Sequence, residues 1–387
     1  MKIAILSYIY PNKTNPSLGI FVHQQAKYIA KEGHDVSVIV ARTKNDKLRE
    51  YIDSTRVYKV ANINSQKLIS GFFFLVKSLK KLYELNKKEK LDLIIGNFLG
   101  VTTIITGLFL RSMNKKYIVI SHGTGWELPK KNKVKNLIIK LALFFPDKIV
   151  CVSRKTKELL SHNTNKKKLV IINNGMDPDY LIPSKSKEQF KMELDLSNEI
   201  VMLSVSHLVK KKGIDAIIKS LPNITKKYPK LMYFIVGEGD EKERLQKIAS
   251  LLNLEKNIKF VGRKVGRELA NYYNICDLFI LMSRDLKDAI ESFGIVYIEA
   301  SYFKKPVIAG KSGGTKDAVI DGKTGYLVEY NDTKKLEKTI LSLLKNKKLR
   351  NRLGEAGKQR VLKDFLWKNN VKKLLDLCNK EVSPKII

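Results

Sequence analysis

Glu291-Ser-Phe-Gly-Ile-Val-Tyr-Ile-Glu299 reads as the opening of a helix, with Phe293-Gly294 just inside the first of two carboxylates. Eight residues of α-helix turn through about 800°, so the spacing predicts two carboxylates within roughly 80° of one face and about 12 Å apart along the axis. Unpaired N–H groups and the positive dipole end of a helix N-terminus suit a phosphate. One element could then hold a sugar at its tip, a diphosphate at its N–H groups and a ribose two turns down. A capped surface helix with two solvated glutamates fits the same nine residues, so the surroundings must decide.

Outward from this stretch, apolar strands alternate with helices. In the second half the strands read as Ile200-Val-Met-Leu-Ser-Val205, Met232-Tyr-Phe-Ile-Val-Gly237, Ile258-Lys-Phe-Val-Gly262, Leu278-Phe-Ile-Leu281 and Pro306-Val-Ile-Ala-Gly310. The first half repeats the theme with Ile3–Leu6, Val36–Val40, Asp92-Leu-Ile-Ile95, Tyr117-Ile-Val-Ile120 and Lys148-Ile-Val-Cys-Val152, and a helix runs from about Gly19 to Glu32. Short β-branched runs bounded by helices are buried parallel strands, and two such series imply two doubly wound α/β domains. The polar stretch 184–198, after Pro183, is the expected junction. Ligands of such sheets bind beyond the carboxyl ends of the strands.

Composition narrows the class. The 387 residues, 44% hydrophobic and 29% charged, describe a folded globular protein with room for two cores. Cys151, Cys276 and Cys378 show no metal-type spacing and read as small core residues in a reducing compartment. No signal peptide or spanning helix is expected, which makes the chain cytoplasmic. The net charge of +35 comes from 73 basic residues against 38 acidic ones, and only 12 of the basic residues are arginine. Lysine supplies a diffuse field rather than bidentate base reading, which favours an anionic membrane surface over nucleic acid. No helix-turn-helix, zinc or aromatic β-platform signature supports a nucleic-acid partner.

Smaller motifs gather around the opening stretch. Lys210-Lys-Lys-Gly213 lies between a strand and a helix, where a lysine can reach a diphosphate. Gly237-Glu238-Gly239 and Ser312-Gly313-Gly314 each follow a strand and fit a tight turn as well as a close backbone approach to a ligand. Asp321-Gly-Lys-Thr-Gly325 reads as a hairpin-like turn into a strand. Isolated histidines are most often turn or core residues; His122, before Gly123 at a strand end, is the one placed for a site.

In this order and spacing the segments resemble the retaining glycosyltransferases of family 4, two-domain enzymes of the GT-B fold. The resemblance runs from Ile3 to about Trp367 and is most specific over Ser283–Val328, where it looks like bacterial mannosyltransferases and relatives acting on membrane lipids or cell-surface glycans. Gly33-His34-Asp35-Val36, Ser121-His122-Gly123, Asn174-Gly175-Met176-Asp177 and Lys212-Gly213 add to it. It implies two facing Rossmann-like domains with an interdomain cleft. Residues 1–183 would bind the acceptor, residues 184–366 would bind a UDP- or GDP-sugar, and residues 367–387 would form a C-terminal helix able to pack back on the first domain. By the same resemblance Glu299 accepts the ribose hydroxyls and Glu291 lies by the donor sugar. The backbone of Phe293, Gly294 and Ile295 binds sugar hydroxyls or the distal phosphate, and Lys212 neutralises the departing diphosphate. His122 lines the sugar pocket, Gly19 faces the phosphates, and the base rests near Gly262 and Arg263. No metal or other cofactor is implied.

Two positions depart from the family pattern. Ser206-His207 stands where Gly-Arg is common, so the second charge on the diphosphate falls to His207 or to Lys210, Lys211 or Arg284; Leu18-Gly19 stands where a double glycine is common. Residues 68–90 and 130–145 combine aromatic or aliphatic clusters with lysines (Lys77, Lys80, Lys81, Lys87 and Lys88; Lys130, Lys131, Lys133 and Lys135), the pattern of basic amphipathic helices on anionic lipid. Sheet-covering helices with solvated outer faces would look the same. The expected protein is a glycosyltransferase peripheral to the inner face of the cell membrane, acting on a lipid-linked or cell-surface glycan. The competing readings are a soluble sucrose- or glucan-type enzyme, a non-catalytic nucleotide-sugar binder, and a basic nucleic-acid-binding protein.

Overall fold

The computed structural model describes residues 1–43, 47–62, 68–123, 133–287 and 289–382. They form two compact units, Met1–Gly175 with the C-terminal segment from Trp367, and Met176–Leu366.

The first unit is built on eight strands: β1 (Lys2–Ser7), β2 (Asp35–Arg42), β3 (Arg49–Ile52), β4 (Thr55–Asn62), β5 (Leu93–Gly96), β6 (Lys116–Ser121), β7 (Lys148–Cys151) and β8 (Leu169–Ile171). Their order is β3-β4-β2-β1-β5-β6-β7-β8, parallel throughout except for the β3–β4 hairpin. That hairpin is absent from the sequence reading, because its turn, Asp53-Ser54, uses two non-glycine residues at φ 43° and 62°.

The second unit holds β9 (Val201–Val205), β10 (Met232–Val236), β11 (Ile258–Gly262), β12 (Leu278–Leu281), β13 (Val307–Gly310) and β14 (Gly325–Val328) in the order β11-β10-β9-β12-β13-β14. All pairs are parallel. Chain order reverses between β9 and β12, which opens a crevice at their carboxyl ends. Asp321–Gly325 is therefore no hairpin turn: β14 continues the parallel sheet beside β13.

The units divide at Gly175/Met176 rather than at residues 183/184. Met176 N–H donates to the Phe365 carbonyl at 2.8 Å, so the chain enters and leaves the second unit side by side. Residues 184–198 belong inside that unit, tied down by Asn271, whose Oδ1 accepts from Ser184 N–H at 2.9 Å. The helix Trp367–Val382 packs on the helix Ile20–Lys31 in the first unit, where Trp367 Nε1–H donates to buried Gln24 at 2.7 Å.

Candidate active site

Lys210–Gly213, Gly237–Gly239, the Glu291 loop and Ser312–Gly314 each fall beyond the carboxyl end of a strand, whereas Asp321–Gly325 enters β14 at its amino end. After β9 the chain makes a single 3₁₀ turn, Lys210–Lys212, closed by Gly213 at φ 65°. A Cβ at Gly213 would collide with the Met282 carbonyl, so only glycine brings this turn against the end of β12. Lys212 Nζ there forms an ion pair with the Glu291 carboxylate. Ser283 Oγ–H donates to the same carboxylate oxygen at 3.0 Å, and Ser312 Oγ accepts from Glu291 N–H at 3.2 Å. Gly314 N–H donates to the Glu291 carbonyl at 2.7 Å, so the Ser312-Gly313-Gly314 turn fixes this residue through its backbone. Burial alone would raise the Glu291 pKa; Lys212, Lys211 and Ser283 outweigh it and hold the carboxyl below its ordinary range.

Glu291 does not lie on a helix, which corrects the in-line geometry expected from the eight-residue spacing. The helix begins only at Ile295 and runs to Tyr302, with Gly294 as its N-cap at φ 87°. The Tyr297 ring fills the space a Gly294 Cβ would need, and its hydroxyl donates to the Leu281 carbonyl at 3.1 Å. Phe293 turns into the core against Phe365, ring centroids 5.5 Å apart, so only its backbone is offered to the site. No side chain caps the N-terminus at Gly294; Tyr297 N–H donates to the Gly294 carbonyl at 3.1 Å, which leaves the Ile295 and Val296 N–H groups without an intrahelical partner. Glu299 lies on this helix, its Oε2 accepting from Tyr273 O–H at 2.8 Å. Burial raises the Glu299 pKa to about 7, with the tyrosine pulling the other way.

The remaining cations divide sharply. Arg284 is committed to structure: Nε–H donates to the Lys210 carbonyl at 2.8 Å and Nη2 pairs with Asp215 at 3.0 Å. Lys211 is half-buried beside Lys212 and Glu291; burial, then Lys212, lowers its pKa. His207 is exposed, with Nδ1 2.5 Å from the Glu238 carbonyl. Gly262, at φ 73° with its carbonyl accepting from Gly237 N–H at 2.8 Å, and exposed Arg263 close the same edge of the sheet. Ser283 and Tyr273 were not expected as site residues. Ser283 had a signal in its place in the motif, whereas Tyr273 had none beyond a tyrosine pair in a helix.

In the first unit, Gly19 caps the helix Ile20–Lys31 at φ 63°, and a Cβ there would come within 2.7 Å of the Ile9 carbonyl oxygen. His122 follows β6; its Nε2 lies 2.8 Å from Asn97 Oδ1, and its ring lies 4.4 Å from that of Phe21. Burial pushes the imidazole pKa down to about 3, so His122 is neutral and serves as a hydrogen-bonding group.

The first unit also presents an apolar and basic face. Phe72, Phe73, Val76 and Tyr83 stand exposed on the helix Leu68–Glu89, with Lys77, Lys80, Lys87 and Lys88 exposed among or beyond them. The helix Val101–Ser112 packs beside it and exposes Val101 and Leu108. On its other flank the helix Lys133–Phe144 exposes Val134, Leu137, Leu141 and Phe144, and Arg111 lies 4.8 Å over the Phe144 ring. Lys130 and Lys131 lie outside the described residues. Among the described residues no helix is long and apolar enough to cross a membrane.

Two α/β units with this strand order and these loop residues define a GT-B glycosyltransferase, and the chain belongs to glycosyltransferase family 4. Residues 18–180 match glycosyltransferase family 4 and residues 185–360 match the glycosyl transferases group 1; the protein is a hexosyltransferase. An uncharacterized glycosyltransferase of Methanocaldococcus jannaschii is 29% identical over 81% of this chain and 82% of its own length. A GDP-mannose-dependent α-(1-6)-phosphatidylinositol monomannoside mannosyltransferase of Mycolicibacterium smegmatis is 31% identical over 53% of this chain and 54% of its own. The structure of sucrose-phosphate synthase from Thermosynechococcus elongatus superposes with a TM-score of 0.80 at 22% identity, covering 98% of this chain and 99% of that one.

Proposed function

We propose that this glycosyltransferase moves a hexose, with retention of configuration, from a UDP- or GDP-sugar to a lipid-linked or cell-surface glycan at a membrane surface. The observation that carries the reading is the Lys212–Glu291 pair set before the uncapped N-terminus at Gly294. Breaking the sugar–phosphate bond builds negative charge on the diphosphate and positive charge on the sugar ring. In this reading Lys212, Lys211 and the first-turn N–H groups stabilise the leaving diphosphate. Glu291 and nearby carbonyl oxygens face the sugar, while Glu299 accepts the ribose hydroxyls. His122, neutral, hydrogen-bonds the sugar, Gly19 lets backbone approach the phosphates, and Gly262 and Arg263 support the base. His207 adds to the diphosphate site. The lysines supply the charge a divalent ion would otherwise bring, so turnover survives chelation.

The membrane part of the reading rests on the three-helix face of the first unit, where apolar side chains alternate with lysines in a chain of net charge +35. A lipid-linked acceptor also agrees with what the mycobacterial relative acts on by its name. A thermal-shift screen with UDP- and GDP-sugars, followed by transfer assays in chelator, tests the donor site. Absence of any shift and of any donor hydrolysis would overturn it.

A further inference from the structure

Tyr273 is fully buried on the helix Gly266–Ile275, with its ring stacked on Phe303 (centroids 5.6 Å apart, interplanar angle 17°) and packed near Phe279 at 6.0 Å. Held from both sides, its hydroxyl has one direction, and it donates to Glu299 Oε2 at 2.8 Å. Oε1 of Glu299 has no partner among the described residues, and the residue keeps part of its surface exposed. Tyr180, from the turn Pro178–Leu181, packs its ring beside Gly266, and its pKa is raised by burial and then by the Glu299 charge. No cationic side chain and no second carboxylate pairs with Glu299 among the described residues.

A carboxylate receiving vicinal hydroxyls must present its lone pairs in a fixed plane, and a glutamate on an eight-residue helix has three free torsions with which to lose that plane. We infer that Tyr273 is a positioning residue for the nucleoside site: it ties down one oxygen of Glu299 and turns the other toward the ribose hydroxyls of the donor. The inference rests on the assignment of Glu299 to the ribose. The hydroxyl favours the ionised carboxyl, whereas burial opposes it and brings the pKa to about 7. Hydroxyl donors need the ionised form, so donor affinity rises with pH through this range, and loss of the tyrosine hydroxyl moves that rise to higher pH.

The test is equilibrium binding of UDP, GDP and their 2′,3′-dideoxy counterparts to the full chain and to Tyr273→Phe, across a pH range bracketing about 7. Tyr273→Phe keeps the ring in the core and is expected to weaken binding of the ribonucleotide about tenfold, with its pH midpoint shifted upward. The dideoxy nucleotide should bind weakly and equally to both proteins. In a Glu299→Gln background the tyrosine substitution should have no further effect. An unmoved midpoint and unchanged affinity in Tyr273→Phe would overturn the inference, as would an equal loss for ribo- and dideoxynucleotide, which marks a packing defect. If the wild-type protein binds both nucleotides alike, the ribose assignment of Glu299 itself falls. If it binds neither, the donor-site reading falls.

Discussion

Lys212 and Glu291, 79 residues apart in sequence, meet in an ion pair that joins the turn after β9 to the loop before the helix Ile295–Tyr302. Their side chains are only 15% and 9% exposed. The pair therefore pre-sets the lysine beside the loop that leads into the helix, and in the proposed reading a bound diphosphate would draw on a charge already in position.

Lys212→Ala is expected to lower turnover about a hundredfold or more, the scale of losing a preorganised charge stabiliser. It also leaves Glu291 buried without its cation, at a cost of about 3 kcal/mol. Steady-state transfer and urea denaturation measure the two effects separately, and Lys212→Ala/Glu291→Gln should recover much of the stability but little of the turnover.

The two glutamates give stability opposite slopes with pH. Glu291 titrates below its ordinary range in the fold, so its contribution is present above the unfolded carboxyl pKa and is lost as pH falls through the lowered value. Glu299 titrates near 7, above its unfolded value, so its contribution is full at acid pH and is lost as pH rises toward 7. Denaturation curves across this range should flatten on the acid side in Glu291→Gln. In Glu299→Gln they should flatten on the neutral side.

Lys211, rather than Arg284, is the expected second cation at the diphosphate. Lys211→Ala should reduce kcat about tenfold, the effect of one charge-assisted hydrogen bond. Arg284→Ala should act mainly on stability, because its guanidinium is spent on Asp215 and the Lys210 carbonyl. His207→Arg places a permanent charge on the family's usual position and should raise kcat/KM severalfold. Kinetics and melting curves of the three variants separate these outcomes.

Gly294→Ala should cost about 1–3 kcal/mol, since φ is 87° and the Tyr297 ring occupies the Cβ position. Because the same residue starts the helix, nucleotide binding should weaken with it. Thermal denaturation with and without UDP or GDP reads both.

At the membrane, full-length protein should float with anionic vesicles at low salt and be released at high salt. Replacing Lys77 and Lys80 by alanine should weaken partitioning by about 1 kcal/mol per lysine. Phe73→Glu should abolish flotation while leaving transfer to a soluble acceptor intact. Failure of wild-type protein to float at low salt would end the proposal.

Much of the fold was legible because its signals are local. Runs such as Leu278–Leu281 and Val307–Gly310 are buried on both faces of a parallel sheet, so every residue must be apolar. Lys210–Gly213 and Ser312–Gly314 were likewise legible as loops at strand ends, where such sheets bind ligands, whereas Glu291–Glu299 read as one helix and is split between a loop and the helix Ile295–Tyr302. The β3–β4 hairpin was not, for lack of a glycine or asparagine turn. Nor was the entry of residues 184–198 into the second unit, which depends on Asn271, 87 residues from Ser184.

The alternation of βα units, the lysine-dominated charge and the placement of Lys210–Gly213 and Ser312–Gly314 after strands follow from the sequence alone, because each depends on residue type and short-range order. The geometry of the site does not. Whether Glu291 opens a helix or leaves it was decided by the Tyr297 ring beside Gly294 and by the pull of Lys212. Burial placed one carboxyl near a cation and the other beneath a tyrosine, and so set one below and one above its ordinary pKa. Such contacts join segments tens of residues apart, and no periodicity along the chain records which side chains the packed sheet will bring face to face.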